Sequence, residues 1–226
     1  MRINCKVQVM RICALLSLVV PLCVHAQGTF QPIYLPDAAY LSDTTKLTIS
    51  APNGYFVGGL SDSSLTASLS AGGGYFPPIG ASTFGSWSSP PYSESSNPGQ
   101  VLYYSNPYLP DRSLYISFSR PLKTFGVEIE VEMWNVTSPI TATFFHGTTP
   151  MGSITQTIGG VQGARLFAAH TDTASFDRVV ISDPSSPSGF GIGQFRYAAV
   201  PEPSTAVLFV LGFLGVFLDH RVRARQ

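Results

Sequence analysis

From Gly126 to Met133 the chain alternates without a break: Val127, Ile129, Val131 and Met133 are apolar, while Glu128, Glu130 and Glu132 are carboxylates. A period of two places successive side chains on opposite faces, so this segment is extended and cannot be an amphipathic helix, whose period is 3.6. The same alternation recurs in Lys46 to Ser50, Ser64 to Ser70 and Ser113 to Ser119. Further strands are predicted over Ile140 to His146, Gly152 to Ile158, Arg165 to Ala169, Phe176 to Ser182 and Gly189 to Tyr197. Turn residues punctuate them at Thr148-Thr149-Pro150, Gly159-Gly160, Asp183-Pro184 and Ser185 to Gly189. No interior segment carries a helical period, and no repeat of fixed length is present. The pattern predicts an all-β fold, an antiparallel β-sandwich or jelly roll. Residues 72–110, rich in Gly, Ser, Pro and Tyr, are expected to be loop-like.

The two ends differ in kind from this body. Arg2, Lys6 and Arg11 precede an apolar run from Ile12 to Val20, and Val24 and Ala26 occupy the small-residue positions of a cleavage site. Residues 1–26 therefore read as a signal peptide cut between Ala26 and Gln27, since the run is too short to span a bilayer. Cys5, Cys13 and Cys23, the chain's three cysteines, all lie inside it. The cut leaves no thiol for a disulfide framework or a cysteine-ligated metal, so the single domain over residues 27–199 depends on its own core.

At the other end, Val200-Pro201-Glu202-Pro203 is followed by Ser204-Thr205, an apolar run from Ala206 to Leu218, and Arg221, Arg223 and Arg225. The prolines hold the first piece extended. The run is apolar on every face; with its flanks it predicts one transmembrane helix over about 204–221, roughly 27 Å long with arginines snorkelling at its end. Arginines beyond the span place the tail in the cytoplasm and the domain outside.

Pro-Glu-Pro, a short hydrophobic helix and a basic end, in that order, resemble the PEP-CTERM sorting signal, also labelled an ice-binding protein C-terminal region. The resemblance covers about the last 26 residues. It implies export, anchoring in the inner membrane with the domain in the periplasm, recognition of Pro201, Glu202 and Pro203 by exosortase, and release to the cell surface or the exopolysaccharide matrix. Asp219 interrupts the basic end and the arginines are spaced rather than clustered. The pieces ISFSRPLKTFGVEIE, ITATFFHGTTPMGSI, FDRVVISD and FGIGQFRY also resemble outer domains found ahead of such tails. Those domains commonly carry an acidic residue in the last strand where this chain has Gly193 and Gln194.

Charge narrows the partners. From Gln27 to Val200 seven Lys and Arg face eleven Asp and Glu, a balance of −4, and no basic face is visible, which argues against nucleic acid. Catalysis has little to stand on: His146 and His170 are the domain's histidines, there is no Gly-x-Ser-x-Gly elbow, and no catalytic residue is assigned. Glu128, Glu130 and Glu132 read as the solvated face of an alternating strand rather than a cation or acid–base site. No cofactor is expected, with Asp172, Asp177 and Asp183 the candidates for a structural Ca²⁺ site. Trp87, Tyr103 and Tyr104 are the candidates for stacking on a sugar, alongside Tyr92, Tyr108 and Trp134. Thr141/Thr143, Thr155/Thr157 and Thr171/Thr173 form pairs of the kind an ice-binding face uses, although threonine favours strands anyway. The leading expectation is a non-catalytic surface or matrix protein; the alternative is a module that binds exopolysaccharide.

Overall fold

The computed structural model describes residues 28–50, 58–71, 77–80, 87, 91–95, 98–104, 113–131, 137–160, 162–183 and 189–201. In chain order these form β1 (Phe30–Ile33), α1 (Ala38–Asp43), β2 (Thr45–Lys46), β3 (Gly59–Ser61), β4 (Thr66–Ala71), β5 (Pro78–Gly80) and β6 (Gln100–Tyr104). They continue with β7 (Ser113–Val131), β8 (Thr137–His146), β9 (Thr149–Gly159), β10 (Arg165–Thr171), β11 (Phe176–Ser182) and β12 (Phe190–Ala199). Every strand pairing among the described residues is antiparallel.

β7 belongs to two layers. Its first half, Leu114 to Phe118, lies between β4 and β11; its second half, Leu122 to Val131, lies between β12 and β10. One layer therefore runs β3-β4-β7-β11-β8-β9 and the other β1-β10-β7-β12-β6-β5. The crossing leaves a mark on the side-chain pattern. Leu114, Ile116, Phe118 and Leu122 face the core at even positions, whereas Phe125, Val127, Ile129 and Val131 do so at odd ones. A change of parity requires an irregularity, and the ladder to β11 slips between Phe176 and Arg178, opposite Leu122 and Ser117. Pro121, which has no N–H to give a ladder, occupies this corner.

The inner faces of both layers close on one core. Phe144 of β8 meets Phe30 of β1 across the sandwich, ring centroids 5.4 Å apart, and Phe176 of β11 at 5.2 Å. The expected sandwich is thus present, with differences in detail. Ser113 to Ser119 and Gly126 to Met133, read as separate strands, belong to one continuous strand as far as Val131. The strand expected from Lys46 to Ser50 shrinks to Thr45–Lys46. Within the segment expected to be loops, β5 and β6 form a hairpin edge and Trp87 and Ser93 are buried. Helix α1 was not anticipated: it has six residues, too few to show a period, and is started by Asp37, whose carboxylate accepts the Tyr40 N–H at 2.8 Å.

Residues 1–26, expected to be a signal peptide, lie outside the described residues, as do Gln27, Glu202, Pro203, the apolar run and Arg221, Arg223 and Arg225. No helix among the described residues is long and apolar enough to cross a membrane.

Gly126 is where α1 seats on the sheet. A Cβ there would overlap the Tyr40 hydroxyl and the Ala168 methyl. Gly126→Ala is expected to destabilise the domain by about 1–3 kcal/mol in chemical denaturation, through forced displacement of Tyr40. An unchanged unfolding midpoint would show that α1 is not held there.

Candidate functional site

The second layer's outer face is covered. Tyr40 from α1 packs with Leu166 and Ala168, and Trp87 packs with Val101 and Ala164. Glu128 and Glu130 of β7 point to this side and are 1% and 0% exposed, so they do not form the solvated face expected from the alternation. Alternation shows that two faces differ in polarity; it does not show which of them another segment covers. Glu132 lies outside the described residues.

Burial of Glu128 is made tolerable by donors. The Trp87 indole N–H donates to its Oε2 at 3.0 Å, and the Glu94 backbone N–H donates to its Oε1. Glu94 in turn receives Arg196 through two bonds, Nε to Oε2 at 2.8 Å and Nη2 to Oε1 at 3.0 Å, with Lys46 Nζ at 3.2 Å. Arg196 Nη1 also donates to the Leu41 and Thr44 carbonyls, at 3.2 and 3.1 Å. This fork fixes the end of α1 and the Ser93-Glu94 turn onto β12. The two carboxylates respond in opposite directions. Burial pushes Glu128 up to about 7 against the hydrogen bonds that favour its anion. Burial also opposes the Glu94 anion, but the Arg196 hydrogen bond and the charges of Lys46 and Arg196 outweigh it and hold Glu94 below its ordinary range. The Tyr40 hydroxyl is enclosed without a hydrogen-bond partner among the described residues, and burial raises its pKa strongly.

Beside this network an open cleft of about 360 Å³ lies between β1 and α1 on one side and β7, β10 and β12 on the other. Pro32, Ile33, Ala39 and Ala198 give it apolar wall; Gln31, Asp43 and Lys123 give it donors and acceptors, with charge of both signs. One hydrogen-bonded chain runs along its rim. Gln31 Nε2 and Thr29 Oγ1 both donate to Asp172 Oδ2 at 3.0 Å, Asp172 Oδ1 lies 3.1 Å from His170 Nε2, and His170 Nδ1 lies 2.9 Å from Thr124 Oγ1. With Nε2–H directed at the carboxylate, Nδ1 is the acceptor for the threonine hydroxyl. Thr124 and His170 are cross-strand partners in register, which brings them together. Hydroxyl, imidazole and carboxylate in sequence make the outline of an acyl-transfer triad. Thr124, however, is 6% exposed and β-branched, and β7 is paired on both sides here, so its backbone N–H groups serve the ladder rather than an oxyanion. The arrangement suits binding.

The residues singled out from sequence scatter. Trp87 is 5% exposed and Tyr104 1%, the latter packed on Phe190 at 5.1 Å, so neither offers a ring face to a sugar; Tyr103 is half-buried. Tyr92 is exposed, with the Arg165 guanidinium 4.2 Å over its ring. Trp134 and Tyr108 lie outside the described residues. Asp172, Asp177 and Asp183 do not converge into the Ca²⁺ site considered for them. Asp172 serves the cleft rim, Asp177 accepts the Gly147 N–H, and Asp183, buried, accepts from Ser138 at the opposite end of β11. Among the described residues no three His, Cys, Asp or Glu side chains are grouped to hold a metal ion. Gln194 stands at a φ of 50° in the β12 bulge, buried, with neither amide atom hydrogen-bonded among the described residues. Thr124, Lys123 and the α1 residues of the cleft had no sequence signal, because the topology alone assembles them.

No family model matches the chain, and no curated protein matches it. Among solved structures it is similar to TmCBM61 in complex with β-1,4-galactotriose, at 12% identity and a TM-score of 0.37, over 69% of this chain and 100% of that one. It is also similar to a family 11 carbohydrate-binding module from Clostridium thermocellum in complex with a mixed-linked tetrasaccharide (11% identity, 63% of this chain and 92% of that one, TM-score 0.29). A family 29 carbohydrate-binding module from Piromyces equi matches at 10% identity over 76% of this chain and 91% of that one, TM-score 0.25. At these scores no residue or ligand passes from those modules to this chain.

Glu128 makes stability pH-dependent. A carboxyl raised from 4.5 to about 7 contributes stability that is full below 4.5 and is lost as pH climbs to 7, on the order of 3 kcal/mol. Glu94, held low, acts oppositely, its contribution lost as pH falls below 4.5. Urea midpoints are expected to peak near pH 5 and decline towards pH 8, with the decline flattened in Glu128→Gln. The same decline in that variant would place its origin elsewhere.

Proposed function

We propose that this chain is a non-catalytic exported module that binds polysaccharide in the cleft between α1 and β10. The cleft carries the reading. A sugar ring presents an apolar face surrounded by hydroxyls, and here apolar wall from Pro32, Ile33 and Ala198 adjoins Gln31, Asp43 and Lys123, whose groups both donate and accept. A volume of about 360 Å³ falls at the small end of ligand sites, the size of a short saccharide segment. His170 is held by Asp172 and Thr124, so its orientation is set before a ligand arrives. Titration calorimetry with soluble cello-, xylo- and galacto-oligosaccharides tests this directly. Lys123→Ala and Asp43→Ala are each expected to weaken binding about tenfold, the loss of one hydrogen bond to a charged group. Heat signals absent across all three sets would refute the cleft as a saccharide site.

A second reading concerns delivery, and one observation supports it. β12 ends at Ala199, and the last hydrogen bonds among the described residues join Val200 N to Pro121 O and Arg120 Nη2 to Val200 O, both at 3.2 Å. Pro201 follows, exposed, so the Pro201-Glu202-Pro203 motif begins directly after Val200, the last described residue whose backbone is bonded to the sheet. An endoprotease or transpeptidase needs such separation from a sheet. On this reading exosortase acts on the tail, and the chain passes from the inner membrane to the surface or matrix. Intact-mass analysis of protein from producing cells is expected to give a species starting at Gln27 and ending near Pro203, absent from an exosortase-deficient strain. Retention of Ala206 to Gln226 in both strains would leave a membrane-anchored module instead.

A further inference from the structure

The outer face of the first layer contrasts with the covered face of the second. Register fixes which side chains share it, because directly paired residues lie on one side of a sheet. One row reads Ser70, Tyr115, Val180, Thr143 and Ser153 across β4, β7, β11, β8 and β9. The next reads Ser113, Ser182, Thr141 and Thr155, with Thr141 and Thr155 hydroxyls 2.9 Å apart. On the other flank Ser68, Ser117, Arg178 and Phe145 align. All these residues are exposed or half-buried. At ordinary strand spacings the rows cover roughly 19 Å across the strands and 14 Å along them.

Among the described residues of these rows there is no carboxylate, although the domain carries eleven acids, and the one charge is Arg178; Asp177, its neighbour in β11, accepts the Gly147 N–H at the rim. That guanidinium lies 4.6 Å over the Phe145 ring. A polyanion would meet one cation here, a polycation would meet no anion, and an apolar partner would have to dehydrate rows of hydroxyls. A polymer that is itself uncharged and hydroxylated matches both features. Serine and threonine hydroxyls donate and accept alike, and the Tyr115 and Phe145 rings offer flat apolar area beside them. We infer that the open face of β4, β7, β11, β8 and β9 is a binding surface for a neutral polysaccharide in extended or packed form. It shares the ligand class of the cleft and none of its residues.

Sedimentation of the full chain, purified in mild detergent, with microcrystalline cellulose and with chitin powder tests the assignment. The wild-type protein is expected to partition onto at least one of them and not onto alginate beads. Thr155→Glu and Ser117→Glu, both at exposed positions, should lower that partition at least tenfold while circular dichroism shows an unaltered fold. Ser42→Glu, which adds the same charge at an exposed position of α1 on the other layer, should leave it unchanged. Equal sedimentation of the face variants, equal retention on alginate, or no sedimentation with either neutral solid would overturn the proposal. None of these results touches the cleft, whose measure is heat from soluble oligosaccharides.

Discussion

β7 supplies backbone hydrogen bonds to both layers, and the other strands take their register from it directly or through one or two intervening strands. The change of core-facing parity between Phe118 and Phe125 is what permits this. Without the irregularity beside Pro121, a straight β7 would turn Val127, Ile129 and Val131 outward and bring Glu128 and Glu130 into the apolar interior. A single corner thus decides that the carboxylates meet Trp87 and the Glu94 turn while the valines and isoleucine meet the core.

The two outer faces then acquire different fates. Behind the second half of β7, small residues make room: Gly126 admits the Tyr40 ring, and Gly193 admits the Trp87 ring and Val101. The covering segments bring charge with them, and the Arg196 fork to Glu94 fastens them. Behind the first half, serine and threonine alternate with core residues, and no aromatic anchor from another described segment settles there. Solubility on that side comes from hydroxyls rather than ions, in keeping with a chain of which only 12% is charged.

Much of the sandwich was legible because a half-buried strand writes its period into the sequence: β11 was located to the residue, and β8, β9, β10 and β12 to within a few residues. Fusion of two predicted strands into β7 was hidden, since RPLKT reads as a break and is instead a corner. The misassigned carboxylates show the limit of periodicity. Val127/Glu128 alternation is equally consistent with water or with a fitted cover, and only the placement of Trp87, more than forty residues earlier in the chain, distinguishes them. The cleft was illegible for the same reason. Asp37, Thr124 and His170 come from three distant segments, and His170 gained meaning only when register set it opposite Thr124. Of the sugar-stacking candidates Trp87 and Tyr104 are core, because aromatic content signals core at least as often as binding.

The position of β12 has a temporal consequence. It is the last strand among the described residues, yet it sits inside the second layer, between β7 and the β6 and β2 edge. A chain emerging N-terminus first can assemble β4, β7, β11, β8 and β9 early, but the other layer keeps a gap one strand wide until residues 190–199 arrive. Until then the backbone groups of β7 and β6 that face the gap have no ladder partner, and Phe195 and Tyr197 are missing from the core. Completion of the fold therefore waits for the C-terminal end of the domain, and the moment of closure coincides with delivery of the segment that follows it.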